Sequence, residues 1–308
     1  MRYGGYRIRR NFIFVDSSWQ LRALLASCLL VLLGVYPVAL YADRVSVTAN
    51  TANAIVKQVA ASAQHTCALF TNGTVKCWGL NDAGQLGQGN TTTVGDQPGQ
   101  MGDVLRPIEL GEGAVATQID TGANFACARL SDGGVKCWGN NDFGQLGQGH
   151  TNALGDDANE MGDNLLPINL GTGRSAVQIS TGDYHACAVL DNAKLKCWGQ
   201  GTFGRLGLGN TTTMGDGDFE MGDNLAAVSL GTGRTAISVS AGGSHTCAVL
   251  DNATLKCWGL SNYGQLGKNN KTTLGDSAAE MGDSLTAINL GTGRTALAVS
   301  AGAEHTMR

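Results

Sequence analysis

The stretch that decides the fold is HTCAVLDNATLKCWGLSNYGQLG, at residues 245–267. Three close variants of it precede this copy, and each begins 60 residues before the next. These variants occupy residues 65–87, 125–147 and 185–207. A fixed period of this length is typical of a solenoid, a propeller or an array. The repeat therefore limits the architecture to these three classes.

Within each repeat, alternating and β-branched residues separated by glycines predict four short strands. In the third repeat and the start of the fourth, these strands are Ala226–Leu230, Ala236–Ser240, His245–Leu250 and Thr254–Trp258. Four strands per unit, repeated radially, is the plan of a β-propeller. We therefore expect an all-β fold of four-stranded antiparallel blades. About four to five blades would form an open or incomplete ring with unpaired strand edges at its ends.

Three motifs carry a resemblance to a known family. His65-Thr66-Cys67, Val75–Gly79 and Gly84–Gly87 resemble the repeat of the regulator of chromosome condensation family, and they return in the later copies. The resemblance covers residues 52–308 and implies a propeller, usually of seven blades. It implies either a binding module or a guanine-nucleotide exchange factor that acts on a small GTPase.

Residues 1–42 have the order of a secretory signal peptide: an arginine-rich start, an apolar run at residues 23–33, Pro37 and a small residue at Ala42. The alternative is an uncleaved anchor at residues 23–42, since about 20 residues can just span a membrane. In both cases this segment engages the membrane during export while the rest of the chain crosses it. We therefore expect a secreted, periplasmic or cell-surface protein.

The predicted domains are accordingly the signal or anchor at residues 1–42 and the repeat domain at residues 43–308. The blades are predicted to begin near residues 52, 112, 172 and 232, with a partial blade after them.

Eight cysteines of the repeat domain form pairs that are always ten residues apart. A hairpin centred on Asn72 would place Cys67 opposite Cys77, within disulfide reach. An exported protein with an even set of cysteines favours disulfides; four pairs of buried, reduced thiols are the alternative. The predicted bridges are Cys67–Cys77, Cys127–Cys137, Cys187–Cys197 and Cys247–Cys257.

The distribution of charge along the chain restricts the kind of partner that it can bind. The chain has 21 Lys and Arg against 25 Asp and Glu, and five of the basic residues but only one acidic residue lie in the first 42 positions. The repeat domain is therefore acidic, whereas nucleic-acid binding depends on basic side chains that neutralise phosphates. We expect no nucleic acid as partner. Export, paired cysteines and the missing basic tail also argue against the exchange-factor alternative, in which a small GTPase would be the partner.

Acidic residues concentrate between each GQLG-type motif and the next repeat. Thirteen of the 25 lie in four such segments, which contain only two lysines. These segments are residues 88–105, 148–165, 208–225 and 268–285. Radial repetition should place them on one side of the propeller, as an acidic face for a protein or another cationic surface. The binding residues predicted on this face are Asp156, Asp157, Glu160, Asp163, Asp216, Asp218, Glu220, Asp223, Asp276, Glu280 and Asp283.

The densest cluster in these segments is Asp216, Asp218, Glu220 and Asp223, whose alternating oxygen ligands suit a weak calcium site. The cluster lacks the spacing of an EF-hand, and a solvated acidic rim is the alternative. No other cofactor is expected.

The histidines raise the question of catalysis or zinc binding. His65, His185 and His245 each precede a cysteine by two residues, but Phe125 takes the same place in the second repeat. Phenylalanine cannot ligate a metal, so we interpret these histidines as structural hydrogen-bonding residues. No catalytic constellation is predicted. The sequence therefore favours a non-enzymatic binding or scaffold module.

Overall fold

The computed structural model describes residues 54–307 as four consecutive blades and part of a fifth. Each full blade is an antiparallel sheet of three strands in simple chain order. The strands are β1 (Val56–Ala61), β2 (His65–Phe70), β3 (Val75–Gly79), β4 (Ala116–Thr121), β5 (Phe125–Leu130), β6 (Val135–Gly139), β7 (Ala176–Thr181), β8 (His185–Leu190), β9 (Leu195–Gly199), β10 (Ala236–Ala241), β11 (His245–Leu250), β12 (Leu255–Gly259), β13 (Ser300–Ala301) and β14 (Thr306–Met307). The predicted signal or anchor lies outside the described residues. Within the described part, no helix is long and apolar enough to cross a membrane.

The predicted fourth strand, Ala226–Leu230, is not a strand. Only isolated contacts cover the outer edge of β9: Gly199 forms a bridge with Met214, and the Val228 amide donates to the Leu195 carbonyl at 2.8 Å. The long segment between them leaves at one end of β9 and returns at the other, so no continuous ladder forms. In two other repeats a proline, which lacks an amide hydrogen, directly precedes the donating residue.

Neighbouring blades are joined at their first strands by glutamine side chains. The Gln118 amide nitrogen donates to the Ile179 carbonyl at 2.7 Å, and the Ile179 amide donates back to Gln118 Oε1 at 3.0 Å. The side-chain amide thus pairs with the next blade as a peptide group in a β-ladder would. Gln58 and Gln178 make the same pair of bonds.

The hydrophobic core lies between blades. Trp138, Trp198 and Trp258 are fully buried, and each indole nitrogen donates to a backbone carbonyl of the preceding blade's GQLG-type turn. The tryptophan can approach that closely because the turn ends in glycine. A Cβ on Gly147 would lie 2.9 Å from the Trp198 indole nitrogen. The Trp-Gly and Gly-Gln-Leu-Gly motifs therefore form one joint, repeated from blade to blade.

The structure places every predicted cysteine pair in bonding geometry. Cys67 faces Cys77 across β2 and β3, and the three other pairs have the same register. All four pairs are bonded, with Cα atoms 4.0–4.1 Å apart. The sulfurs lie in the cores between blades, so each bond fixes a hairpin where blades meet.

We expect mass spectrometry of unreduced peptides, from protein made in an oxidising compartment, to show these four links and no others. Each closes a loop of about ten residues, so removing one pair by Cys187→Ala/Cys197→Ala should lower the free energy of unfolding by about 2–3 kcal/mol. Free thiols at all eight positions after denaturation would contradict the pairing.

Candidate interaction surfaces

The acidic segments do not gather on one side of the blades. In the second blade, Leu154 pairs with Gly139 at one end of β6, and the Ile168 amide bonds to Val135 at the other end, at 2.8 Å. The segment between them therefore runs the length of the outer strand edge. The two ends of each segment are tied to opposite ends of one strand. The acidic residues therefore form an outer rim and not the expected face on one side.

The glutamates predicted as binding residues hold the rim together. Glu220 Oε2 accepts the amides of Gly215 and Gly217 at 2.8 and 2.9 Å, and Glu160 and Glu280 do the same in their own blades. Burial alone would raise the pKa of Glu220, but these amides outweigh it and lower that pKa. In the first blade Gln100 makes equivalent bonds without a charge. The shared role of this position is therefore structural.

The predicted aspartates at the end of each segment tie that segment to the turn that leads into the first strand of the same blade. Asp223 accepts the backbone amide and the hydroxyl of Thr172 at 3.0 and 2.5 Å, and both bonds lower the pKa of Asp223. Asp283 binds Thr232 in the same way, and Asp163 accepts the Glu112 amide.

These aspartates also have lysine neighbours. The Lys196 ammonium donates to the carbonyls of Gly222 and Leu170, and its charge helps to lower the pKa of Asp223. Lys136 and Lys256 occupy the same position in their blades. A count of charges within the segments misses these lysines, because they belong to the strand motif. The rim is thus less negative than the sequence indicates.

The other predicted binding residues are Asp156, Asp157, Asp216, Asp218 and Asp276; of these, Asp157, Asp218 and Asp276 are exposed. Burial and the neighbouring Glu220 raise the pKa of Asp216. Across residues 54–307, no three His, Cys, Asp or Glu side chains converge as a metal site would require. The structure therefore does not gather Asp216, Asp218, Glu220 and Asp223 around one position, and weak calcium binding stays a prediction.

Two of the repeat histidines, His185 and His245, join neighbouring blades, whereas His65 bonds to Ser62 of its own blade. His185 Nε2 lies 2.8 Å from the Thr246 hydroxyl of the next blade, and His245 Nε2 lies 2.9 Å from the Thr306 hydroxyl. Burial lowers the pKa of His65 and of His245 to about 4. These side chains are therefore neutral near pH 7.

A second surface, which the sequence did not reveal, surrounds a cavity at the turns that follow the first strand of each blade. The cavity has a volume of about 330 Å³, and small residues of five successive turns line it. We call it the turn cavity; its lining residues include Thr121, Thr181, Asp183 and Gly243. The residues that distinguish the turns differ from repeat to repeat, so the repeat pattern contained no signal for this surface.

Aromatic side chains lie near the turn cavity. Tyr184, next to Asp183, meets Phe143 of the preceding blade edge to face, with ring centroids 5.4 Å apart. Phe203 is 44% exposed, and the Arg205 guanidinium lies 5.6 Å from its ring centroid. Exposed aromatic residues are enriched at the centres of protein interfaces.

Arg205 explains why the turn at residues 202–205 of the third blade differs from the equivalent turns of the other blades. In the other blades a glutamine takes its place, and in the second Gln145 Oε1 accepts the Phe143 amide at 2.9 Å. Arginine has no acceptor, and Phe203 takes a left-handed backbone conformation with φ of 61°. The Arg205 side chain bonds instead to Thr202 and to the Gly243 carbonyl.

Asp120 is another departure from the repeat. Its carboxylate accepts the Thr181 amide of the next blade at 2.8 Å and the Thr121 amide at 3.1 Å. The later blades use a serine hydroxyl for the bond to the next blade, as Ser180 does with the Ala241 amide at 3.0 Å. Burial raises the pKa of Asp120 to about 6, although the two amides oppose this.

Comparisons with known proteins agree with this geometry. The model of the regulator of chromosome condensation (RCC1) repeat matches residues 56–85, 116–145, 176–205 and 236–265, and a second model of that repeat matches residues 132–189. The chain is 32% identical over 217 residues to the ultraviolet-B receptor UVR8 of Arabidopsis thaliana, a match that covers 70% of this chain and 43% of that protein. It is 28% identical over 219 residues to the probable human E3 ubiquitin-protein ligase HERC6, covering 71% and 19%.

Among solved structures, yeast RCC1 (Prp20) bound to Kap60 superposes with a TM-score of 0.59 at 20% identity, over 82% of this chain and 53% of that one. A second structure, of Prp20p from Saccharomyces cerevisiae, gives a TM-score of 0.57 and 55% coverage of that chain. The chain belongs to the proteins built from regulator of chromosome condensation repeats, and its blades form part of a β-propeller. It spans less than half the length of these two curated relatives, UVR8 and HERC6.

The Asp120→Ser variant tests the departure in the second blade. Because the pKa of Asp120 is higher in the folded protein than in the unfolded chain, the free energy of unfolding falls as pH rises from about 4 to about 6. Removing the carboxylate should therefore stabilise the protein at pH 7.5, by up to about 2–3 kcal/mol, and the gain should vanish near pH 4. Urea unfolding at both pH values measures this, with Asp157→Ser as the exposed control. A gain that is equal at both pH values would contradict the account.

Proposed function

We propose that the chain is a non-enzymatic, exported binding module built on disulfide-bonded propeller blades. The observation that carries this proposal is the bonded cysteine pair at the same register in all four blades. Disulfides persist in oxidising compartments and are rare in the cytosol. The arginine-rich start and the apolar run of residues 23–33 support export independently of the cysteines.

The partner we propose is a protein or another surface with positive charge. The carboxylates of Asp157, Asp218 and Asp276 on the outer rim support this, because they add to a field that attracts cations. Yeast Prp20p, which shares this fold, has binding properties to Gsp1p and histones, so blades of this kind serve as a protein-binding scaffold in that molecule. Weak calcium binding at the rim remains part of this proposal.

The alternative is an exchange factor for a small GTPase, and it predicts a different location. Such a factor must reach GTPases in the cytosol, whereas the proposed module must cross a membrane. The side of the membrane on which residues 54–307 fold therefore separates the two functions.

A reporter fused after Arg308 decides between them. We expect alkaline phosphatase, which is active only outside the cytosol, to be active in the fusion, and β-galactosidase to be inactive. Deleting residues 1–42 should reverse both results, which provides the matched control. An active β-galactosidase fusion of the whole chain, with silent alkaline phosphatase, would overturn the proposed export.

A further inference from the structure

The turn cavity contains polar groups that the fold itself does not need. Each blade supplies equivalent positions, so the blades together show what the scaffold requires. At the end of the first strand the chain has alanine in three blades, at Ala61, Ala241 and Ala301, and threonine at Thr121 and Thr181. The threonines are thus additions to a scaffold that folds with alanine.

Thr121 is only 8% exposed, and among the described residues its hydroxyl has no hydrogen-bond partner. A buried hydroxyl without a partner destabilises a protein by about 1–3 kcal/mol. Because Thr121 lines the turn cavity, a group held in the cavity could supply the missing bond.

Asp183 is a second addition. The equivalent residues are alanine or glycine in the other blades, at Ala63, Ala123, Gly243 and Ala303. The Asp183 carboxylate points towards Gly243, where a Cβ would lie 2.9 Å from its Oδ2. The two salt bridges found in residues 54–307 are Arg174–Asp191 and Arg234–Asp251, so neither involves Asp183.

The surroundings of Asp183 lack a full counter-charge. Burial raises the pKa of Asp183; the charge of Arg205 opposes this and that of Glu304 adds to it. Arg205 lies beyond salt-bridge distance, and its guanidinium is bonded to Thr202 and stacked on Phe203. A cation placed in the cavity would therefore gain an attraction that the protein itself leaves unused.

Tyr184 directly follows Asp183 in the chain and is not among the residues that line the turn cavity. It is 37% exposed, and its ring is held by its edge-to-face contact with Phe143. The equivalent residues in the other full blades are Gln64, Asn124 and Ser244, so the aromatic ring is specific to this blade. A guanidinium stacks on aromatic rings, pairs with carboxylates and donates to hydroxyls.

We propose that the turn cavity binds one arginine side chain of a partner protein, with Asp183 as its counter-charge, Tyr184 as its stacking surface and Thr121 as an acceptor. This proposal rests on the proposed function in one respect, that the chain is a binding module. It adds to that function a binding site away from the acidic rim. It concerns the repeat domain itself and does not depend on export.

The test titrates the oxidised, full-length chain with the peptide acetyl-Gly-Arg-Gly-amide, followed by calorimetry and by NMR. The matched control peptide replaces arginine with citrulline, which has nearly the same shape and no charge. We expect the arginine peptide to bind in the millimolar range and the citrulline peptide at least about tenfold more weakly.

Variants taken from the chain's own blades locate the site without disturbing the fold. Asp183→Ala should weaken binding by about tenfold or more, and Thr121→Ala and Tyr184→Ser by about threefold each. Asp142→Asn, which copies Asn262 on an exposed turn, is the control and should change binding less than about twofold. Thermal unfolding of each variant confirms that it is folded.

Equal binding of the two peptides, unchanged binding by Asp183→Ala, or no binding up to about 20 mM would overturn the proposal. The reporter fusion and the peptide titration test separate claims, so either claim can be rejected without the other. A cytosolic reporter with arginine binding would reject export and keep the site, whereas an exported chain without arginine binding would reject the site alone.

Discussion

Each blade is held to the one before it by a tryptophan that packs against a glycine turn. The indole nitrogen of Trp198 donates to the Gln145 carbonyl at 3.0 Å, and the ring fills the space that a side chain on Gly147 would occupy. This contact buries a large aromatic ring and pairs its polar nitrogen in the same step. The glutamine bonds between first strands and the cysteine pairs then add to a stack that the tryptophans define.

Other contacts of the scaffold account for much of the chain's polar composition. The repeated lysines, glutamates and terminal aspartates bond within the rim segments and to the turns beside them, and His185 and His245 bond to the next blade, so their repetition reflects the scaffold. Residues that break the repeat have a different meaning. Asp120, Asp183 and Arg205 occur in one blade each and place charge where the other blades have small or neutral residues. Candidate binding residues are therefore to be sought among the departures.

The period, the strands around each cysteine pair and the propeller architecture could be predicted from the sequence, because they depend on spacing within one repeat. The fourth strand, Ala226–Leu230, could not, because its apolar residues pack against a strand edge through isolated contacts. The negative charge of the acidic segments was overestimated for a related reason. Strand lysines such as Lys196 and backbone amides near Glu220 meet the carboxylates only after folding, and no count along the chain brings them together.

The most direct test of the joint compares two glycines with the same backbone conformation. Gly147 and Gly173 both have φ of +66°, but a Cβ on Gly147 would meet Trp198, Ile168 and Met221, whereas one on Gly173 would meet nothing within 4 Å. Alanine at either position introduces the same backbone strain, about 1–2 kcal/mol. Urea unfolding of the oxidised protein should show that Gly147→Ala lowers stability by at least about 2 kcal/mol more than Gly173→Ala. Equal losses for the two variants would contradict the central role of the tryptophan joint.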